Sequence, residues 1–207
     1  MKVKICGITN YEDAAAAVEL GADALGFNFY RRSPRYIEPE AARAIIRRLP
    51  PFVAAVGLFV DEGPEEVCRA ARAAGVGVLQ LHGDETPDYC GRLSGWPLIK
   101  ALRVGGALDA AGLADYEVQA FLLDARDGAL YGGTGKVFDW SLAAAVRGVA
   151  PIILAGGLRP DNVAEAIRTA RPYGVDVSSG VESSPGRKDR ALVGAFIEEV
   201  RNACKSI

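Results

Sequence analysis

Two side chains in this sequence stand where a proton could be moved. Cys6 lies in the run Lys4-Ile5-Cys6-Gly7-Ile8-Thr9, and Asp124 closes the apolar run Phe121-Leu122-Leu123. Each of these groups, taken singly, could have a chemical role if its surroundings tune it. Each also has a plainer reading. Cysteine is among the most buried residue types and packs as a small hydrophobe. A carboxylate at the end of an apolar run is costly unless paired or used, but it also serves as a cap or loop acceptor. Cys68, Cys90 and Cys204 take the packing reading. Arg35 is either a solvated loop charge or an anion ligand, and His82, the only histidine, either a satisfied rim residue or a contact to substrate.

A second group of residues suits an anion. Gly132-Gly133-Thr134-Gly135, Gly156-Gly157 and Gly180, preceded by Ser178-Ser179, form three glycine clusters late in the chain. Glycine lets the backbone approach a ligand and point N–H groups at it. One such cluster serves an ordinary turn equally well. Three on successive units point to a phosphate.

Composition removes several alternatives. The 207 residues carry 24 basic and 26 acidic side chains, a formal net charge of -2. That offers no basic field for nucleic acid, and the cluster Arg31, Arg32 and Arg35 is too small to make a groove for one. The start, Met1 to Gly7, has no long apolar run, so neither a secretory signal nor a membrane span is expected. With no C-x-x-C pair and a single histidine, no metal site and no cofactor are expected either. The expectation is a cytoplasmic protein with reduced thiols.

The elements that must position these residues follow a rhythm. Short apolar runs recur at Val3–Ile8, Ala24–Phe29, Ala54–Val60, Val76–Leu81, Leu98–Leu102, Ala120–Leu123, Ile152–Leu154 and Val175–Val177. Near-continuous apolar runs suit strands covered on both faces, as in parallel sheets. Between them lie helical stretches. Thr9 and Glu12 match a capping box ahead of Asp13–Leu20. Pro39, Pro64, Pro87 and Pro160 suit first helical positions, and Thr86 and Asp139 suit N-caps. The last helix, about Arg190–Cys204, should bury Leu192, Phe196 and Val200. Eight β/α units of about 26 residues each predict a single-domain (β/α)8 TIM barrel over residues 1–207, with an open doubly wound sheet as the alternative. In such a barrel the strand C-termini carry the chemistry, which is where Cys6, His82, Asp124 and Gly156 fall.

Taken together, Lys4–Thr9, Ser33-Pro34-Arg35-Tyr36-Ile37, Gln80-Leu81-His82-Gly83, Gly132–Lys136 with Phe138-Asp139-Trp140, Ala155-Gly156-Gly157-Leu158 and Asp176–Glu182 resemble the phosphoribosylanthranilate isomerase family of tryptophan biosynthesis. The match runs from residue 2 to about residue 190. The resemblance implies an Amadori rearrangement of N-(5-phosphoribosyl)anthranilate with Asp124 as general acid and Cys6 as general base. It also implies Arg35 on the anthranilate carboxylate, Gly156, Gly157, Ser179 and Gly180 at the phosphate, and His82 and Asp176 as secondary substrate contacts. For these roles the thiol should become easier to ionise than a free cysteine, and the carboxyl harder. The implied partner is a small phosphorylated substrate. Oligomeric state is open, with a homodimer one outcome.

Two further readings stay in view. A different phosphosugar barrel enzyme would want metal-binding histidines or a Schiff-base lysine, for which Lys100 is the candidate inside a strand. A non-catalytic barrel that binds a phosphorylated metabolite would not need Cys6 and Asp124 together.

Overall fold

The computed structural model describes residues 1–106, 108–125 and 138–205. Eight parallel strands close on themselves in chain order: β1 (Lys2–Cys6), β2 (Ala24–Asn28), β3 (Ala54–Phe59), β4 (Val78–Leu81), β5 (Leu98–Val104), β6 (Ala120–Ala125), β7 (Ile152–Leu154) and β8 (Gly174–Val177). Closure is carried by β1, which pairs with β2 on one side and β8 on the other, Lys4 facing both Ala24 and Asp176 in register. The open sheet is therefore excluded. All eight expected strands are present, with no end shifted by more than two residues.

Strand periodicity decides which side chains reach the barrel interior. In β6, Ala120 and Leu122 belong to the inner cluster with Val56, Ile99, Ala101, Ile153 and Ala155, while Phe121 and Leu123 pack outward against the helices. Asp124 continues the inward set at the strand's C-terminal end. The same alternation places Lys4 and Cys6 of β1 inward. The outer layer, with Phe27, Leu79, Leu81 and Phe121 fully buried, supplies most of the apolar burial, roughly 1.5–3 kcal/mol for each large side chain.

The helices are α1 (Tyr11–Leu20), α2 (Pro39–Ile46), α3 (Pro64–Ala74), α4 (Pro87–Gly91), α5 (Ala110–Leu113), α6 (Val163–Ala170) and α7 (Arg190–Lys205), with a 3-10 helix at Trp140–Val146. Pro39, Pro64 and Pro87 open their helices, and Thr86 caps α4. Three expectations are corrected. Asn10, not Thr9, caps α1 by accepting from the Asp13 amide, because the Thr9 hydroxyl donates to the Gly186 carbonyl instead. Pro160 lies in the turn before α6, which starts at Val163 once Asn162 has accepted from the Arg159 amide. Leu192 is 38 % exposed on α7, whose inner face is Val193, Phe196, Ile197 and Val200. Asp139 does act as a cap, but of the 3-10 helix.

After β8 the chain makes a short 3-10 turn (Ser179–Val181) and then an antiparallel ribbon of β9 (Glu182–Ser184) and β10 (Arg187–Lys188). This ribbon folds back over the barrel mouth and brings Glu182 and Lys188 to the site. Among the described residues no helix is long and apolar enough to cross a membrane. The cluster Gly132-Gly133-Thr134-Gly135 lies outside the described residues.

Candidate active site

A cavity of about 390 Å³ opens at the C-terminal ends of the strands. Cys6, Arg35, His82, Asp124, Gly156, Gly157, Asp176, Ser179 and Gly180 all line it, so the residues expected to catalyse the reaction or bind its substrate meet at one site. Cys6 ends β1 and Asp124 lies near the end of β6, with β8 and β7 between them on the short way round the barrel. A proton donor and a proton acceptor can therefore flank one ligand.

Asp124 is held on both oxygens. Its Oδ1 accepts from the Ala125 amide at 2.9 Å, and its Oδ2 lies 3.1 Å from Nε2 of His82. Behind His82, Nδ1 is 2.9 Å from Nε2 of Gln80, which is fully buried. Gln80 and His82 are two residues apart on β4 and its end, so both point inward by strand alternation.

Cys6 is buried above a buried ion pair. Lys4 Nζ bonds Asp176 Oδ1 at 2.9 Å, the register partner of Lys4 across the β1–β8 seam. Burial alone would pull the Lys4 ammonium down, but the nearby Asp176 and Cys6 hold it above the usual lysine value. For the thiol the balance goes the other way. Burial pushes Cys6 up, Asp176 adds to the rise, and the pull of Lys4 and Lys188 does not overcome them. The expectation of a thiol that ionises more easily than free cysteine is thus corrected for the free protein. Desolvation exceeds the help of two cations.

Arg35 is no solvated loop charge. Its side chain is 12 % exposed, and it forks onto Glu182, Nε to Oε1 at 2.9 Å and Nη2 to Oε2 at 2.6 Å. Lys188 bonds the same carboxylate at Oε1, 2.7 Å away, and also donates to the Ser178 carbonyl at 3.3 Å. Burial would push the Glu182 carboxyl up, yet Arg35 and Lys188 hold it below the usual glutamate value. The aliphatic part of Arg35 packs on Gly7, whose φ is +79°. A β-carbon there would stand 2.6 Å from Arg35 Cδ. The residue after Cys6 must be small for the arginine to cross it.

The loops after β7 and β8 pack directly on each other. A β-carbon at Gly180 would run into the carbonyl oxygen of Leu158. Only glycine lets the two loops meet, which leaves Gly156, Gly157, Ser179 and Gly180 around one end of the cavity.

The comparisons with known proteins point one way. The family described as N-(5'-phosphoribosyl)anthranilate isomerase matches residues 3–199. The chain belongs to this family. The phosphoribosylanthranilate isomerase of Geobacter sp. strain M21 is 58 % identical over 200 residues, which cover 97 % of this chain and 98 % of that protein. A monomeric form of the dimeric isomerase of Thermotoga maritima superposes with a TM-score of 0.87 at 42 % identity, covering 98 % of this chain and 99 % of the other. A phosphoribosylanthranilate isomerase in complex with reduced 1-(o-carboxyphenylamino)-1-deoxyribulose 5-phosphate superposes with a TM-score of 0.85 at 43 % identity, with the same coverage.

Sequence reasoning overlooked roles for Gln80, Lys4, Glu182 and Lys188. Lys4 and Gln80 are polar residues inside otherwise apolar strands, two before Cys6 and His82, which is a period-two signal for a shared inward face. The partnership of Glu182 with Arg35 had no such signal. Lys100, the Schiff-base candidate, is buried away from this cavity and is held by Glu85 Oε2 and the Gly83 carbonyl, each at 2.7 Å. A Schiff-base role for it loses its support.

Proposed function

We propose that residues 1–207 act as one catalytic domain that converts N-(5-phosphoribosyl)anthranilate, an aminoaldose, into its 1-deoxyribulose aminoketose isomer. The observation that carries this is the convergence of Cys6, Asp124, Arg35 and the glycine loops on one cavity in a chain of this family.

In this reading Asp124 protonates the furanose ring oxygen. The ring opens and leaves an iminium at C1′, which acidifies the C2′ proton. Cys6 removes that proton, and the resulting enolamine tautomerises to the ketone. No electrons leave the substrate, so proton transfers suffice without metal or cofactor. Each positioned acid or base contributes about 10²–10⁴-fold to rate. The thiol that burial keeps protonated in the free protein would lose its proton against the cationic iminium, with Lys4 and Lys188 nearby to favour the thiolate.

The substrate has two anionic handles. Arg35 would take the anthranilate carboxylate with the part of its guanidinium outside the Glu182 fork. Main-chain amides around Gly156, Gly157, Ser179 and Gly180 would hold the phosphate. His82 and Asp176 line the same cavity and would contact the sugar hydroxyls.

Two features bear on the setting. The four cysteines are all free thiols, which suits a reducing compartment, and we assign the enzyme to the cytoplasm. Phe52 is 97 % exposed, and with Tyr173 and Met1 it lies on segments entering β3, β8 and β1, the face opposite the cavity. We assign this face to a homodimer contact. Sedimentation should give a dimer for the native chain and a monomer for Phe52→Asp; a native monomer would end that assignment.

Purified protein given the aminoaldose should show the fluorescence change that separates substrate from product, at a rate that EDTA leaves unchanged. No turnover, or turnover lost with EDTA, would overturn the reading.

A further inference from the structure

Asp124 can act as an acid only if its proton goes to the substrate rather than to a neighbour. Among the described residues the side chain within hydrogen-bond reach of Asp124 is His82, whose Nε2 lies 3.1 Å from Asp124 Oδ2. A neutral imidazole carries one hydrogen, on either Nδ1 or Nε2, and the partner of one nitrogen fixes the state of the other. If Nδ1 held the hydrogen, the Nε2 lone pair would face Asp124 and accept its proton. If both nitrogens held hydrogens, a positive ring would keep Asp124 as a carboxylate. In either case the acid is disarmed.

We propose that Gln80 is a positioning residue that holds His82 in the neutral Nε2–H tautomer by donating from its side-chain amide to Nδ1, so that His82 can only donate to Asp124 and never take its proton. This inference rests on the reading of Asp124 as the general acid.

Three observations carry it. The Gln80 amide nitrogen sits 2.9 Å from Nδ1, and Gln80, His82 and Asp124 are all buried. The other end of the amide, Gln80 Oε1, is buried with no hydrogen-bond partner among the described residues, while the amide nitrogen is presented to the ring. Finally, a glutamine has no charge to give: a lysine in its place would add a cation, and a glutamate would draw a hydrogen onto Nδ1. Glutamine is the neutral donor of the right length. Around the pair the cavity presents Cys6, Arg32, Arg35 and Asp176, and Lys4 lies behind Asp176, but none of these is hydrogen-bonded to Nδ1 among the described residues.

His82 is the only histidine in the chain, so its ring nitrogens can be read without assignment by mutation. Protein labelled with ¹⁵N in histidine and glutamine side chains should show, in the free state at neutral pH, a bare Nδ1 and a protonated Nε2. It should also show a coupling through the hydrogen bond between Gln80 Nε2 and His82 Nδ1. A protonated Nδ1, or absence of that coupling in a spectrum where both nitrogens are seen, would overturn the inference without touching the role of Asp124. In Gln80→Glu both ring nitrogens should be protonated, and kcat should fall by about ten- to a hundredfold with KM nearly unchanged. A folded Gln80→Glu with an unchanged ring spectrum would overturn the inference too. The native spectrum decides the tautomer and the donor even if that variant fails to fold. Turnover by Asp124→Asn, by contrast, would overturn the acid reading itself.

Discussion

Arg35 and Glu182, 147 residues apart, share three hydrogen bonds of 2.6 to 3.1 Å in a half-buried pair at the barrel mouth. The loop after β2 and the ribbon after β8 are thereby joined through the group proposed to bind the substrate carboxylate. Lys188 extends the link to the Ser178 carbonyl, beside the proposed phosphate loop.

Glu182→Gln keeps the shape but removes the charge that orients Arg35. A hydrogen bond to a charged group is worth about 1.5–3 kcal/mol, so KM should rise about tenfold or more, with kcat little changed. Arg35→Ala should raise KM in the same way. Because the two residues act as a unit, the double variant should be less than additive. Steady-state kinetics on the four proteins checks this. An unchanged KM in Glu182→Gln would remove it from the binding geometry.

Lys4→Met leaves Asp176 buried without its partner. Breaking a buried pair by removing one charge costs about 3–5 kcal/mol, which a urea titration would show as an earlier midpoint. Removing both charges in Lys4→Met with Asp176→Asn should recover most of that loss. If the single and double variants unfold alike, packing rather than charge explains the cost.

Stability should fall in alkaline solution. Cys90 is fully buried, and burial pushes its thiol up to about 11 from an ordinary 9.0; Cys6 is shifted in the same direction. Above about pH 9 the unfolded chain releases these protons while the folded one keeps them, so the unfolded state binds fewer protons and unfolding is favoured as pH rises. The stabilisation is complete below pH 9 and is lost between there and about pH 11, up to about 2–3 kcal/mol for Cys90. Urea midpoints at pH 8 and pH 10.5 should differ by more in the native chain than in Cys90→Ala.

Gly180→Ala forces the loops after β7 and β8 apart, since the new methyl meets the Leu158 carbonyl. Inorganic phosphate should inhibit this variant less than the native enzyme, and its melting temperature should drop. Equal inhibition would place the phosphate elsewhere.

The barrel was legible in the sequence because its strands are buried on both faces and so read as apolar runs. Their alternation also explains why Cys6 and Asp124 could be read as candidates, since each is a polar inward residue at a strand end. Helix starts were legible where proline opens a helix after an extended residue, as at Pro39 and Pro64. They were not where one side chain has two uses: Thr9 could cap α1 but bonds Gly186, across the barrel mouth. The Arg35–Glu182–Lys188 cluster was hidden for a different reason, being assembled by a ribbon whose path no local pattern encodes. The rise of the Cys6 thiol depends on how deeply the strand end is covered, which only the folded arrangement reveals.

The most direct measurement is kcat for Asp124→Asn and Cys6→Ser in protein whose circular dichroism and melting match the native chain. Each variant should lose at least about a hundredfold, from the removal of a positioned acid or base. Turnover within a few-fold of native in both would contradict the claim that this carboxyl and this thiol move the protons.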